Sequence, residues 1–508
     1  MTDVLITHSY HLAYDSKQAR KMQPYPPLGM LYAASSLRTA GISVAAFDVM
    51  LRDPGGLSSA VAQHRPRIVA VYEDDFNFLS KMCLTRMREV AWEIARAAKE
   101  SGATTIVHGS DSTDHPALFL NNGFDYVLCG EAEGTLTQLC IALLSREQVP
   151  DLSGLVRLDR NGTAIHNSQR RAINALWAEI PAPARDLIDL EPYRAAWRDA
   201  HGYFSTSIVS SRGCPYRCTW CAKPISGNRF QLRSPDSVAA EMKHLKDHLG
   251  VDHIWFGDDV FALDQWWVRQ FALAVSWQDA AIPFKIQSRA NLMTEPAVRD
   301  LRTAGCAEVW MGVESGSQAV LDAMDKGLKL ASVVAARERL AKAGIRACYF
   351  LQLGYPGEGW NELQETIALV RATRPDDIGV SFSYPLPGTA FYERVQAQLG
   401  DKRNWVDSDD LCIMFQAAYK TDFYRAVRDA LHAEVDSWKE PECSSESSLQ
   451  LDALWRTVQE LEPSSRNANA SCTHEAAAFI SSPAIVPLDQ LIAAGKSQHT
   501  TVHRESVK

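Results

Sequence analysis

The chain has 508 residues, which at about 150 residues per domain allows three units, and 46% hydrophobic content permits sizeable cores. A net charge of −9 argues against a broad nucleic-acid surface. The eleven cysteines follow no disulfide framework, and no apolar run approaches the ~20 residues of an integral membrane segment. The acidic Met1-Thr-Asp3 opening and the polar, Pro-rich stretch 12–27 carry no signal-peptide pattern, so a cytoplasmic protein is expected.

Residues 1–145 read as an α/β repeat. Apolar runs at Val4–Thr7, Val44–Phe47, Ile68–Tyr72, Thr105–His108 and Tyr126–Cys129 alternate with helical patterns at Leu28–Ala40, Leu79–Lys99 and Leu136–Leu144. Strands alternating with helices predict a doubly wound, Rossmann-like or flavodoxin-like parallel sheet, which binds ligands at the carboxyl ends of its strands. No G-x-G-x-x-G is present, which argues against NAD. Residues 146–200 read as a linker, with a hairpin over Gly154–Thr163 turning at Asn161-Gly162 and breaks at Pro181 and Pro183.

From residue 201 to 395 the βα alternation resumes. Strands are predicted at Thr206–Ser211, His253–Gly257, Phe284–Ser288, Glu308–Gly312, Ala347–Leu353 and Ile378–Ser383. Helices fall between them at Pro235–Leu249, Gln265–Trp277, Pro296–Ala304, Ser332–Ala343 and Trp360–Ala372, with Gly305 and Gly344 as C-caps. Six units predict a partial (β/α)6 barrel rather than a closed eight-fold one. In the loop after the first strand, Gly213-Cys-Pro-Tyr-Arg-Cys-Thr-Trp-Cys221 sets Cys214, Cys218 and Cys221 in a C-x3-C-x2-C pattern. Three thiolates leave one iron of a cubane open to substrate. A zinc site needs a fourth N or S ligand, and His201 and His253 lie outside the usual spacings.

Beyond residue 395, a helical accessory region (396–440) is expected over Trp405–Trp438, with Tyr419, Phe423 and Tyr424 either shaping the substrate side or belonging to the core. Residues 441–508 are rich in Ser, Ala and Asn and read as a largely disordered tail with one short helix at Leu449–Leu461.

The cysteine motif, with Trp220 before its last Cys, resembles the signature of the radical S-adenosylmethionine (SAM) enzymes. The resemblance implies that a [4Fe-4S] cluster on Cys214, Cys218 and Cys221 reductively cleaves SAM to a 5′-deoxyadenosyl radical. Four later strand ends resemble the family's SAM elements. They are Asp258 and Asp259 for the amino group, Gln287 and Arg289 near the carboxylate, Glu314 and Ser315 at the ribose, and Gly354 and Pro356 against adenine. Ahead of them, Tyr25–Met30, His108–His115 and Asp125–Thr135 resemble the cobalamin-binding domain of one subgroup, the one that includes the anaerobic magnesium-protoporphyrin ester cyclases. That likeness implies cobalamin contacts from Pro27, Leu28, Gly29, Gly109, Ser110, Gly130 and Glu131. Pro183–Leu187 and Tyr193 match its linker, and Tyr384–Thr389 its P-x-P-G-T turn. The cobalt-ligating D-x-H-x-x-G motif is absent, so a corrin held without histidine is expected, with a flavodoxin-like cap as the alternative.

The function implied is methyl transfer from cobalamin to an unactivated carbon or phosphorus of a small molecule, fed by a donor such as flavodoxin or ferredoxin. Oxidative cyclisation is the alternative. A methylthiotransferase ranks below both, because Cys83, Cys129 and Cys140 make a poor second cluster site and no basic domain follows residue 395; a SAM or cobalamin sensor without catalysis is the non-enzyme reading.

Overall fold

The computed structural model describes residues 2–52, 56–167, 180–439 and 445–467. The first sheet takes strands β1 (Val4–Thr7), β2 (Val44–Phe47), β3 (Ile68–Tyr72), β4 (Thr104–His108) and β5 (Tyr126–Leu128) in the parallel order β2-β1-β3-β4-β5. The expected hairpin, β6 (Leu155–Leu158) and β7 (Ala164–His166), extends this sheet antiparallel rather than lying in a linker, and the Asp159 carboxylate caps its turn by accepting from the Asn161 and Thr163 amides.

Alternation along each strand sends side chains to two cores. Val4, Ile6, Ile68 and Ala70 pack under helices Leu28–Thr39 and Glu133–Ser145, whereas Leu5, Val69 and Val71 meet helices Gly56–His64 and Thr85–Glu100. Burial on both faces explains why these strands read as unbroken apolar runs. The helix expected over Leu79–Lys99 is split into Phe78–Lys81 and Thr85–Glu100, with Cys83 at φ +55° between them. Two first-turn donors of the second helix, the amides of Thr85 and Arg86, go to the carbonyls of Trp405 (3.0 Å) and Val406 (3.1 Å), so distant chain satisfies the new terminus.

The second sheet is an open six-stranded parallel barrel of β8 (Ser205–Ile208), β11 (His253–Phe256), β12 (Phe284–Ser288), β13 (Cys306–Glu314), β14 (Arg346–Leu353) and β15 (Asp377–Phe382), neighbours in chain order. Its outer helices start on side-chain caps from Ser234, Asp264 and Thr294, and Gly250 and Gly305 end two of them at positive φ. The short antiparallel pair β9 (Ser211–Arg212) and β10 (Gln231–Leu232) brackets the cysteine loop.

The chain ends seal the assembly. Helix Glu191–His201 clamps both units: Tyr193 Oη donates to Asp48 (2.7 Å) and Trp197 Nε1 to the Pro24 carbonyl (2.7 Å) on one side, and Arg194 Nη2 to the Leu249 carbonyl (3.0 Å) of the barrel on the other. Asp15 accepts from Ser408 Oγ at 2.5 Å, and Arg20 pairs with Asp409. Tyr419, Phe423 and Tyr424 are core residues at or beside helix Thr421–Ser437. The helix expected at Leu449–Leu461 spans Ser445–Ser465 and is docked, with Val458 buried and Tyr419 Oη donating to Glu462 at 2.6 Å. The tail expected beyond it lies outside the described residues.

Candidate functional site

The cysteine loop leaves β8 and is pinned on several sides. Gly213, at φ +75°, sits where any side chain would run into the Arg229 carbonyl, so the turn requires glycine. The Thr219 amide donates to Met324 O (2.9 Å), its hydroxyl meets Tyr355 Oη (2.7 Å), and its carbonyl accepts from the Phe391 amide (2.9 Å). Lys223 Nζ turns inward to the carbonyls of Cys214 (3.0 Å) and Tyr216. Cys214 is buried, Cys218 and Cys221 are half-buried, and all three thiols are free. Burial pushes the Cys221 thiol up to about 12, with Asp259 adding to the shift, and burial also raises Cys214.

Among the described residues, no three His, Cys, Asp or Glu side chains close on a point that one metal ion could occupy. A cubane makes no such demand, because each thiolate binds a different iron and the three sulfurs stand apart. Three unpaired cysteines on one pinned loop, with the Lys223 ammonium bonded into it, fit an iron–sulfur core.

Facing the loop across an open cleft is the carboxyl edge of the first sheet. The cleft is lined by Asp75, Lys81 and Ser110 from one side and Arg212, Lys223 and Asp259 from the other. Among the buried polar atoms at this edge without a hydrogen-bond partner are Asp75 Oδ1, His108 Nδ1 and Ser110 Oγ. Buried polar atoms are almost always satisfied, so such a cluster marks a place shaped for a polar ligand. The edge therefore offers polar groups to a cofactor bound at the carboxyl ends of these strands.

The residues singled out in the sequence fall into several positions. Asp258 is buried and accepts from the Ser210 amide (3.0 Å) and hydroxyl (2.7 Å) and from the Ser211 hydroxyl, so it ties down the end of β8 rather than facing the cleft. Burial raises its carboxyl to about 6 against those donors. Asp259 lines the cleft and pairs with Lys81 at 2.5 Å. Burial alone would lower the Lys81 ammonium, but Asp259 raises it above its ordinary value. Gln287, next to last in β12, is half-buried. Arg289 is 3% exposed and stacks on the Tyr216 ring. Glu314 adopts φ +65°, a strained conformation for a residue with a Cβ, and holds Lys326 Nζ at 2.7 Å. Ser315 is fully buried against Thr366 of helix Trp360–Thr373 (3.1 Å), and Gly316 presses on that helix's backbone. Gly354 begins the turn after β14 at φ +81°, with half-buried Pro356 beside it, and its amide donates to Glu358.

In the first unit, Pro27 caps helix Leu28–Thr39, Leu28 packs on Val209 of the barrel, and the Gly29 amide donates to Asp74 (3.0 Å). A Cβ on Gly29 would come within 2.6 Å of Asp75 Oδ1, so the glycine allows the loop after β3 to close in. A Cβ on Gly109 would meet the Glu73 side chain at 2.8 Å. The Gly130 carbonyl accepts from His108 Nε2 (2.8 Å), and the His108 ring stacks on Tyr72 at 4.0 Å. Glu131 pairs with Arg229 (3.3 Å) and Glu133 with buried Arg212, so this acidic segment grips the strand pair that flanks the cysteine loop. Sequence reasoning missed Lys81, Asp75 and Arg212. Lys81 and Asp75 carried one usable signal: each follows a strand end in a doubly wound sheet, where ligands bind.

The comparisons agree with this geometry. Residues 208–370 match the family model of the radical SAM superfamily, and residues 22–140 match that of the B12 binding domain. The chain belongs to the radical SAM superfamily and carries a B12 binding domain ahead of its radical SAM domain; it is a cobalamin-dependent radical SAM enzyme. Those two domains take a [4Fe-4S] cluster with SAM, and cobalamin. Among its relatives is an uncharacterized methyltransferase, PH0819, of Pyrococcus horikoshii, 26% identical over 72% of this chain and 78% of the relative. Another is the anaerobic magnesium-protoporphyrin IX monomethyl ester cyclase of Synechocystis, 23% identical over 79% of each chain. The hopanoid C-3 methylase of Methylococcus capsulatus is 23% identical over 73% of this chain and 69% of the methylase. By fold, the chain resembles the radical SAM methyltransferase TsrM of Kitasatospora setae (TM-score 0.64, 20% identity, 79% of this chain and 77% of that one). It also resembles the cobalamin-dependent radical SAM enzyme OxsB (TM-score 0.68, 16% identity, 91% and 72%). Among the described residues no helix is long and apolar enough to cross a membrane.

Proposed function

We propose that the enzyme transfers a methyl group from cobalamin to an unactivated carbon or phosphorus of a small molecule. The observation that carries this is the cleft itself. It sets the unsatisfied Asp75 and Ser110 of the B12 binding domain opposite the cysteine loop, so that a substrate between them would meet both cofactors. The relatives PH0819 and hopanoid C-3 methylase support it. When bound, the cluster and SAM supply hydrogen abstraction and the corrin supplies the methyl group. The protein's part is to bind and orient. Cys214, Cys218 and Cys221 would hold the iron, and Glu314, held by Lys326, would receive the ribose hydroxyls of SAM. Asp259 would take the SAM amino group in exchange for Lys81. Gln287, Gly354 and Pro356 would line the rest of the SAM site, while Gly29, Gly109, Ser110 and Gly130 would admit the corrin. An oxygen-labile cluster suits the cytoplasm and a flavodoxin- or ferredoxin-type donor.

Oxidative cyclisation is the second reading, favoured by the match to the protoporphyrin ester cyclase over 79% of both chains. One experiment separates the two. Anaerobically reconstituted protein is given dithionite, hydroxocobalamin and SAM deuterated in its methyl group. Methyl transfer requires both 5′-deoxyadenosine and deuteromethyl cobalamin. 5′-Deoxyadenosine without cobalamin methylation would favour the cyclase reading. Formation of neither would overturn both.

A further inference from the structure

Arg289 lies beneath the cysteine loop, and its donors are already engaged. Its guanidinium carbon stands 3.7 Å from the centre of the Tyr216 ring. Nε donates to Asn291 Oδ1 (3.3 Å), and Nη2 to the carbonyls of Lys326 and Gly327. Nη1 points at the sulfur of Cys218, 3.9 Å away. A side chain so committed has no free bidentate edge to offer a SAM carboxylate.

We infer that Arg289 is a positioning residue for the iron–sulfur cluster: it fixes the Cys218 sulfur and, by donating to it, raises the cluster's reduction potential. The inference rests on the reading of Cys214, Cys218 and Cys221 as cluster ligands. With three thiolates, a 2+ cubane core carries a net charge of 2 − 3 = −1, and one-electron reduction makes it −2. A buried cation and an N–H donor at a ligand sulfur stabilise the more negative state, and reduction potentials of such clusters follow net charge and hydrogen bonds to sulfur. Tyr216 matters because it sits inside the Cys-x3-Cys interval and its ring holds the guanidinium flat, where Nη1 can reach the sulfur. The same side chain ties the loop to the 326–327 turn, whose Lys326 also faces the Trp220 ring at 5.8 Å.

The test is a redox titration of reconstituted, SAM-free full-length protein, followed by electron paramagnetic resonance, with iron and sulfide counted first. Arg289→Gln, Arg289→Lys, Tyr216→Leu and Tyr216→Phe are compared with the wild type. Arg289→Gln and Tyr216→Leu should load the cluster and shift its midpoint to more negative potential. Arg289→Lys should fall between, and Tyr216→Phe should match the wild type. SAM affinity should change less than about threefold in Arg289→Lys. A fully loaded Arg289→Gln protein with the wild-type midpoint overturns the inference. If Arg289→Gln does not fold, an unshifted Tyr216→Leu overturns it equally. A more than tenfold loss of SAM affinity at an unchanged midpoint would return Arg289 to the SAM carboxylate. A wild type that loads no cluster sinks the cluster reading itself, which the iron count distinguishes.

Discussion

Lys81 of the B12 binding domain and Asp259 of the barrel meet across the cleft with Nζ 2.5 Å from Oδ1, each side chain little more than a quarter exposed. This pair joins the two cofactor-binding units directly in front of the cysteine loop. Breaking it from either side should loosen the domain interface. Lys81→Met and Asp259→Asn should each cost about 1–2 kcal/mol, between the values for exposed and fully buried pairs. In a double-mutant cycle by chemical denaturation the coupling should exceed about 0.5 kcal/mol. Additive effects would show that the two groups merely coincide.

Iron content gives the second prediction. Cys214→Ala, Cys218→Ala and Cys221→Ala should each lose the brown chromophore and SAM cleavage, since each supplies one thiolate to a shared core. Cys306 and Cys348 are buried and burial raises both thiols well above their usual range. Cys306→Ala and Cys348→Ala should therefore retain full iron at a stability cost of about 1 kcal/mol. A fully loaded Cys218→Ala protein would sink the assignment.

Glu358 makes stability depend on pH. It is fully buried, and burial raises its carboxyl to about 8 despite the donated Gly354 amide. A native pKa above the unfolded one means the folded state holds the proton longer. Stability from this group is thus full below about 4.5 and is lost as pH rises towards 8. Glu358→Gln removes the titration. The variant should match the wild type near pH 5 and exceed it at pH 9 by on the order of 2–4 kcal/mol in urea unfolding. Parallel wild-type and variant curves would refute a neutral Glu358.

The corrin should bind without histidine on cobalt. The D-x-H-x-x-G motif is absent, and His108 gives Nε2 to the Gly130 carbonyl while its ring stacks on Tyr72. The cob(II)alamin spectrum should show no nitrogen splitting, and His115→Ala should leave it unaltered. Strong splitting abolished by His108→Ala or His115→Ala would place a histidine on the metal.

The strands and the cysteine loop were legible because both are local. Val4–Thr7 and Ile68–Tyr72 are short unbroken runs buried on both faces, and C-x3-C-x2-C is a contiguous pattern. What escaped was long-range. The break at Cys83 is invisible in a good helical pattern, because the acceptors for Thr85 and Arg86 lie at Trp405 and Val406. Asp258 and Asp259 are adjacent and chemically alike, and only Ser210 and Ser211 on one side and Lys81 on the other assign them different tasks. Glu131 read as a ligand contact, yet it grips Arg229, a pairing that no spacing encodes.

The dependence of helix Thr85–Glu100 on Trp405 and Val406 also sets an order of events during synthesis. The helix leaves the ribosome about 320 residues before the segment that caps its amino terminus. The adjoining Phe78–Lys81 turn, which carries Lys81, shares the wait, because Asn404 holds the Cys83 carbonyl at 2.8 Å. Until that segment has been made, the amides of Thr85 and Arg86 and the carbonyl of Cys83 have only water to bond.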